Sequence, residues 1–88
     1  MFHLPMRSPH VRHEDGKSDI FGPTIILEDD GGFSTLTEER VAKVTKLARE
    51  NSLKVEFKDG DILDLYDIST YDYNEILCWA TVNKLHIK

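Results

Sequence analysis

Residues 53–68 carry the pattern that most narrows what this chain can become. Leu53-Lys54-Val55-Glu56-Phe57-Lys58 alternates apolar and polar positions without a fault, and residues 61–68 return with further apolar side chains beyond Asp59-Gly60. Strand side chains point alternately to the two faces, and Asp-Gly is a favoured two-residue hairpin turn. This segment is therefore read as an antiparallel hairpin with Leu53, Val55 and Phe57 on one face.

A hairpin apolar on one face needs a covering layer, and the preceding residues supply a candidate. Thr35-Leu36-Thr37-Glu38 reads as a capping box, and with Thr37 as the cap, Leu36 and Val41 supply a hydrophobic staple. Val41, Val44, Leu47 and Ala48 recur at the spacing of one helical stripe. Glu38 and Glu39 then sit at the positive end of the helix dipole and Arg49 at the negative end, with Glu39 and Lys43 as an i, i+4 pair. The expectation is an α+β fold, one amphipathic helix over about 36–51 packed on a small, mainly antiparallel sheet. Arg40, Lys43, Lys46 and Arg49 would form the basic rim of that helix.

Upstream, Ile20-Phe21-Gly22-Pro23-Thr24-Ile25-Ile26-Leu27 is rich in β-branched and aromatic residues and reads as a strand, with Gly22-Pro23 at an edge or bulge. Glu28-Asp29-Asp30-Gly31-Gly32 ends it in an acidic turn. A calcium loop starting at Glu28 fails, because the glycine needed at position six is Phe33. The lead through Pro9 is expected to be extended or mobile, with residues 1–8 mobile, because Pro5 and Pro9 forbid a helix start there. A short strand follows around residues 10–13, then a turn at Glu14-Asp15-Gly16-Lys17.

Three of the four histidines fall in this lead: His3, His10 and His13. Imidazole is the commonest metal ligand, so His10 and His13 are the candidate metal pair, with Glu14 or Asp15 as an oxygen donor. On a straight strand the two rings would face opposite sides. The amino terminus with His3 forms a separate chelate suited to Cu²⁺ or Ni²⁺. An enzyme using His10 and His13 is the alternative functional reading, but no catalytic constellation is complete.

Residues 71–80 fit a strand or a short helix equally, and Val82, Leu85 and Ile87 suggest a final β segment. Tyr66, Tyr71, Tyr73 and Trp79 either fill a small core or form an aromatic contact patch. Cys78 has no His, Lys or Arg beside it in sequence to lower its pKa, so a buried inert thiol is expected.

Composition bounds the function. The 88 residues make a single small domain with a limited core. Lys and Arg number 11 against 16 Asp and Glu, a net charge of −5, which argues against a phosphate-tracking nucleic-acid surface. From Lys54 to Asp72 there are two lysines and six acids, so this one segment carries most of the deficit. No apolar run approaches the roughly 20 residues of a membrane span, and no signal-peptide core is present, which makes the cytoplasm the default location. There is no nucleophile elbow, phosphate loop, dinucleotide fingerprint or paired CxxC, so no cofactor is implied. The expectation is a small acidic protein-binding module, with a protein partner or self-association. Asp61, Asp64, Asp67, Tyr71 and Tyr73 are its candidate contact residues.

Two stretches resemble known families. Ser8-Pro9-His10-Val11-Arg12-His13, then Gly16-Lys17-Ser18-Asp19-Ile20-Phe21 and Gly32-Phe33-Ser34, are similar to a family of small uncharacterised bacterial proteins over residues 8–52. That family carries Pro-Pro-His-Val-His, a glycine turn, a strand and a Gly-Phe-Ser helix start. Here Ser8 replaces the first proline, and Arg12 displaces the second histidine. Leu53-Lys54-Val55-Glu56-Phe57-Lys58-Asp59-Gly60, with Asp67 and Trp79 beyond, resembles the hairpin of a second uncharacterised family. Members of the two families are often encoded side by side in bacteria, in pairs regarded as toxin–antitoxin systems. The resemblance implies a bacterial partner-binding protein, one member of such a pair, and supplies no catalytic residue.

Overall fold

A computed structural model describes residues 3–13 and 21–88 of the chain. In chain order these form β1 (His3–Arg7), β2 (His10–Val11), β3 (Thr24–Asp29), β4 (Gly32–Thr37), β5 (Val41–Lys46), β6 (Leu53–Phe57), β7 (Ile62–Tyr66), α1 (Thr70–Val82) and β8 (His86–Ile87). The strands make a five-stranded sheet, ordered β1-β7-β6-β5-β8, and a three-stranded sheet, ordered β2-β3-β4. The β5–β6–β7 meander and the whole smaller sheet are antiparallel, whereas β1 and β8 add in parallel at the outer edges. The fold is α+β, as expected, with one helix packed against mainly antiparallel sheets. Its helix, however, lies in a different place.

The hairpin at residues 53–68 forms in the expected register, with Leu53 opposite Leu65, Val55 opposite Leu63 and Glu56 opposite Ile62. Its turn is one residue longer than Asp-Gly alone. The Gly60 N–H donates to the Phe57 carbonyl and the Phe57 N–H to the Asp61 carbonyl, so Lys58, Asp59 and Gly60 form a three-residue loop. Gly60 lies at φ 97°, the left-handed position that closes a loop of this kind.

The helix expected over 36–51 is not there: these residues form the last two positions of β4, all of β5 and the turns that follow them. The apparent helical stripe has a strand explanation. Between Val41 and Lys43 the β5–β6 register shifts, because Val41 pairs with Phe57 and Lys43 with Glu56. Ala42 is an extra, exposed residue in a β-bulge, so Val41 and Val44 both face the core although three positions apart. One bulge thus imitates the i, i+3 spacing of a helix. The cap signal is equally local. The Arg40 N–H donates to the Thr37 carbonyl at 3.1 Å and the Thr37 hydroxyl at 3.3 Å, closing the turn between β4 and β5. Gly32-Phe33-Ser34 accordingly opens a strand.

Residues 71–80, undecided between helix and strand in the sequence, lie within the helix, which runs on through Val82, so the final β segment is only His86–Ile87. Ser69 is the helix N-cap, accepting from the Asp72 N–H at 3.1 Å and donating to Asp72 Oδ2 at 2.9 Å. Ile76, Trp79 and Ala80 are buried on one stripe, with Tyr73 and Leu77 packed at its sides. Cys78 falls on the opposite face and is exposed, which corrects the expectation of a buried thiol. Within the lead expected to be extended or mobile, His3–Arg7 is extended and pairs with β7. The turn expected at residues 14–17 lies outside the described residues.

The core is a single cluster drawn from both sheets and the helix, with Trp79, Leu27, Leu36, Leu53, Leu65 and Val44 among its fully buried members. Among the described residues, no helix is long and apolar enough to cross a membrane.

At the helix C-terminus, Asn83 is the cap and Lys84 lies at φ 57°. The Leu85 N–H donates to the Ala80 carbonyl and the Lys84 N–H to the Thr81 carbonyl, the paired bonds of a Schellman ending. Glycine is the residue best suited to that left-handed position, so Lys84→Gly should raise stability by about 1 kcal/mol in urea unfolding. A helix continuing through residue 84 would instead lose stability with the same change.

Candidate functional site: a histidine–carboxylate cluster and an open sheet edge

The end of β2 separates the two histidines of the expected metal pair. His10 sits on β2 opposite Glu28 and is exposed, while Val11 turns inward. Beyond β2 the Arg12 N–H still bonds the Ile26 carbonyl, and the Arg12 side chain pairs with Glu28 at 3.1 Å. His13 then leaves the sheet toward α1, which packs beside β2. His10 does not join it, and Glu14 and Asp15 lie outside the described residues, as do the amino terminus and the side chain of His3.

The partners of His13 come from the helix. Asp72 and Glu75 are three residues apart, which places both on one helix face. His13 Nε2 lies 3.2 Å from Glu75 Oε1, and the Glu75 side chain is only 8% exposed. One donor atom from each of His13, Asp72 and Glu75 falls within 4.8 Å of the others. Glu75 also holds the Tyr71 hydroxyl. That hydrogen bond, with the negative charge behind it, raises the Tyr71 pKa above its ordinary 10.0 by favouring the protonated phenol. The cluster was partly legible: Ser69-x-x-Asp72 announces a helix start, and Asp72-x-x-Glu75 is the spacing of a shared face. Only the fold could bring His13 to it.

The residues expected to contact a partner fall in different surroundings. Asp61 and Asp67 flank β7 at its two ends, about 20 Å apart at the usual rise per strand residue. Asp64 is buried within β7 and accepts from the Tyr66 hydroxyl at 3.2 Å. Asp67 accepts from Arg49 Nη2 at 3.0 and 3.2 Å, with Arg7 3.9 Å away. Tyr71 is exposed, whereas Tyr73 packs against the core. The four aromatics named from the sequence likewise divide: Trp79 is fully buried, and the Tyr66 ring meets the guanidinium groups of Arg7 and Arg49 at 5.6 and 5.3 Å.

Two of the six acids of the acidic segment are paired with residues of the supposed basic helix rim. Lys43 pairs with Glu56 at 3.1 Å and Arg49 with Asp67, while Arg40 stacks on Phe57 at 5.0 Å. The hydrogen bond from Lys43 holds the Glu56 carboxyl below the usual carboxylate range, with Lys54 adding to it. Two opposite charge runs in sequence thus become cross-strand and loop pairs in space.

The other feature is the edge of the smaller sheet. β4 is an outer strand, its six residues Gly32-Phe33-Ser34-Thr35-Leu36-Thr37 carry no charge, and Phe33 is 65% exposed. A cleft of about 220 Å³ lies between Pro5 and Met6 of β1 and Gly32, Phe33 and Ser34 of β4. A second, of about 150 Å³, runs from Ser34 and Thr35 to Phe57, Ile62 and Leu63.

Compared with protein-family models, curated proteins and solved structures, the chain matches none.

The Tyr71–Glu75 bond gives a direct check on the cluster. Glu75→Gln removes the charge that opposes phenolate formation, so the Tyr71 pKa should fall back toward 10.0. Titration of ¹³Cζ-labelled tyrosine by NMR would show this, with the Tyr66 and Tyr73 curves unchanged. An unmoved Tyr71 curve would mean that the two side chains are not in contact.

Proposed function

We propose that this chain is a small protein-binding module that takes a partner segment as an added strand along β4. The observation that carries this reading is the uncharged, six-residue edge of β4 with an exposed phenylalanine. Sheet edges present unpaired N–H and C=O groups, and they are commonly blunted by Lys, Pro or a covering element. β4 itself contains no lysine and no proline. An extended peptide laid along such an edge gains main-chain hydrogen bonds, and clefts beside the strand select its side chains. Here the apolar walls at Pro5, Met6 and Phe33 favour an apolar side chain in the first cleft.

This reading moves the interface away from the acidic hairpin. The resemblance to paired bacterial proteins supports a dedicated protein partner, one member of a toxin–antitoxin-like pair. An enzyme built jointly on His10 and His13 is less well supported, because the two rings have different surroundings.

A photo-crosslinking amino acid at position 33 or 71, expressed in the native host, would test the site of contact. The expected outcome is a protein adduct from position 33 that disappears when Thr35 is changed to Pro. Phe33→Lys should leave stability within about 0.5 kcal/mol, as for most surface changes, while abolishing the adduct captured from a crosslinker at position 35. Binding should change little between low and moderate salt, because the contacts are mainly uncharged. An adduct from position 71 alone, with strongly salt-dependent binding, would return the interface to the acidic side.

A further inference from the structure

The histidine–carboxylate cluster lies at the exit of β2 and the first turns of α1, and no residue of β4 belongs to it. From its geometry we infer that His13, Asp72 and Glu75 form a binding site for one divalent transition-metal ion of the zinc type. The donor set is one imidazole nitrogen and two carboxylate oxygens, a mixed set that zinc accepts and that leaves a fourth position for water or a partner's side chain.

The distances fit with little movement. Three atoms no more than 4.8 Å apart share a point within about 2.8 Å of each. Zinc bonds of about 2.0–2.2 Å are then reached by inward shifts of under ~1 Å. The 3.2 Å between His13 Nε2 and Glu75 Oε1 is close to the edge of a tetrahedron with such bonds, about 3.3 Å.

Charge and orientation point the same way. Two carboxylates face one imidazole, so a dication would balance the cluster even with the ring neutral. Burial makes the Glu75 charge costly, and a dication bound among the three donors would offset that cost beyond what His13 and Tyr71 supply. Both carboxylates are also steered from behind, Asp72 by the Ser69 hydroxyl at 2.9 Å and Glu75 by Tyr71. Such outer hydrogen bonds commonly orient metal ligands. The ion would tie the residue that leaves β2 to the first turns of α1, joining the smaller sheet to the helix.

The test uses the full chain, stripped with EDTA and titrated with Zn²⁺ in a calorimeter, with Co²⁺ as a spectroscopic substitute. These ions avoid the Cu²⁺ and Ni²⁺ preference of an amino-terminal chelate. The expected result is one ion per chain, a higher melting midpoint with Zn²⁺, and visible Co²⁺ bands of tetrahedral intensity. His13→Gln, Asp72→Asn and Glu75→Gln should each weaken binding by at least the roughly 10–100-fold that even outer-shell partners contribute. His10→Ala should bind as the unaltered chain does. Asp72→Asn, isosteric and half-exposed, keeps the test decisive if a variant at the more buried positions fails to fold in EDTA. No binding up to roughly 1 mM Zn²⁺, or binding undiminished in the Asp72 and His13 variants, would overturn the site and leave only a His13–Glu75 ion pair.

Discussion

Strand β6 is the element on which the larger sheet depends. It pairs antiparallel with β5 on one side and β7 on the other, and its Leu53 and Val55 are fully buried. Central strands satisfy their main-chain groups on both sides and hold apolar side chains away from water, so their register fixes that of their neighbours. β1 then completes the outer side of β7, and β8 that of β5. Helix α1 delivers Trp79 to the same core.

The meander also decides the electrostatics. Once β5 lies beside β6, Lys43 stands opposite Glu56, and the turn beyond β5 brings Arg49 to Asp67. These pairs are exposed or half-exposed, so each contributes little to stability. Their larger consequence concerns recognition: an acidic segment engaged by its own cations offers a weaker field to a basic partner. The edge of β4, by contrast, is uncharged, and main-chain hydrogen bonding along it would not depend on charge.

The histidine cluster and the β4 edge are products of different constraints. β4 is uncharged in sequence, so its character as an edge needs only the knowledge that it is a strand. The cap-like Thr35-Leu36-Thr37-Glu38 at its end masks that strand, and a bulge at Ala42 in β5 gives Val41 and Val44 a helical spacing just beyond. The cluster needs more. Ser69, Asp72 and Glu75 are legible as a helix start with two acids on one face, but His13 joins them only because β2 ends beside α1. His10 stays on β2 beside Glu28, whereas His13 lies past the end of that strand.

The sequence by itself determined the hairpin at residues 53–68 and the absence of a helix over residues 3–9. Those follow from strict alternation, turn chemistry and proline, which act within a few residues. Tertiary structure alone decided that residues 41–46 are a strand, how far the helix runs beyond its Ser69 cap, and which charges meet. The valines of β5 and the mixed residues of α1 have local preferences too weak to choose, and burial against β6 and Trp79 supplies the difference.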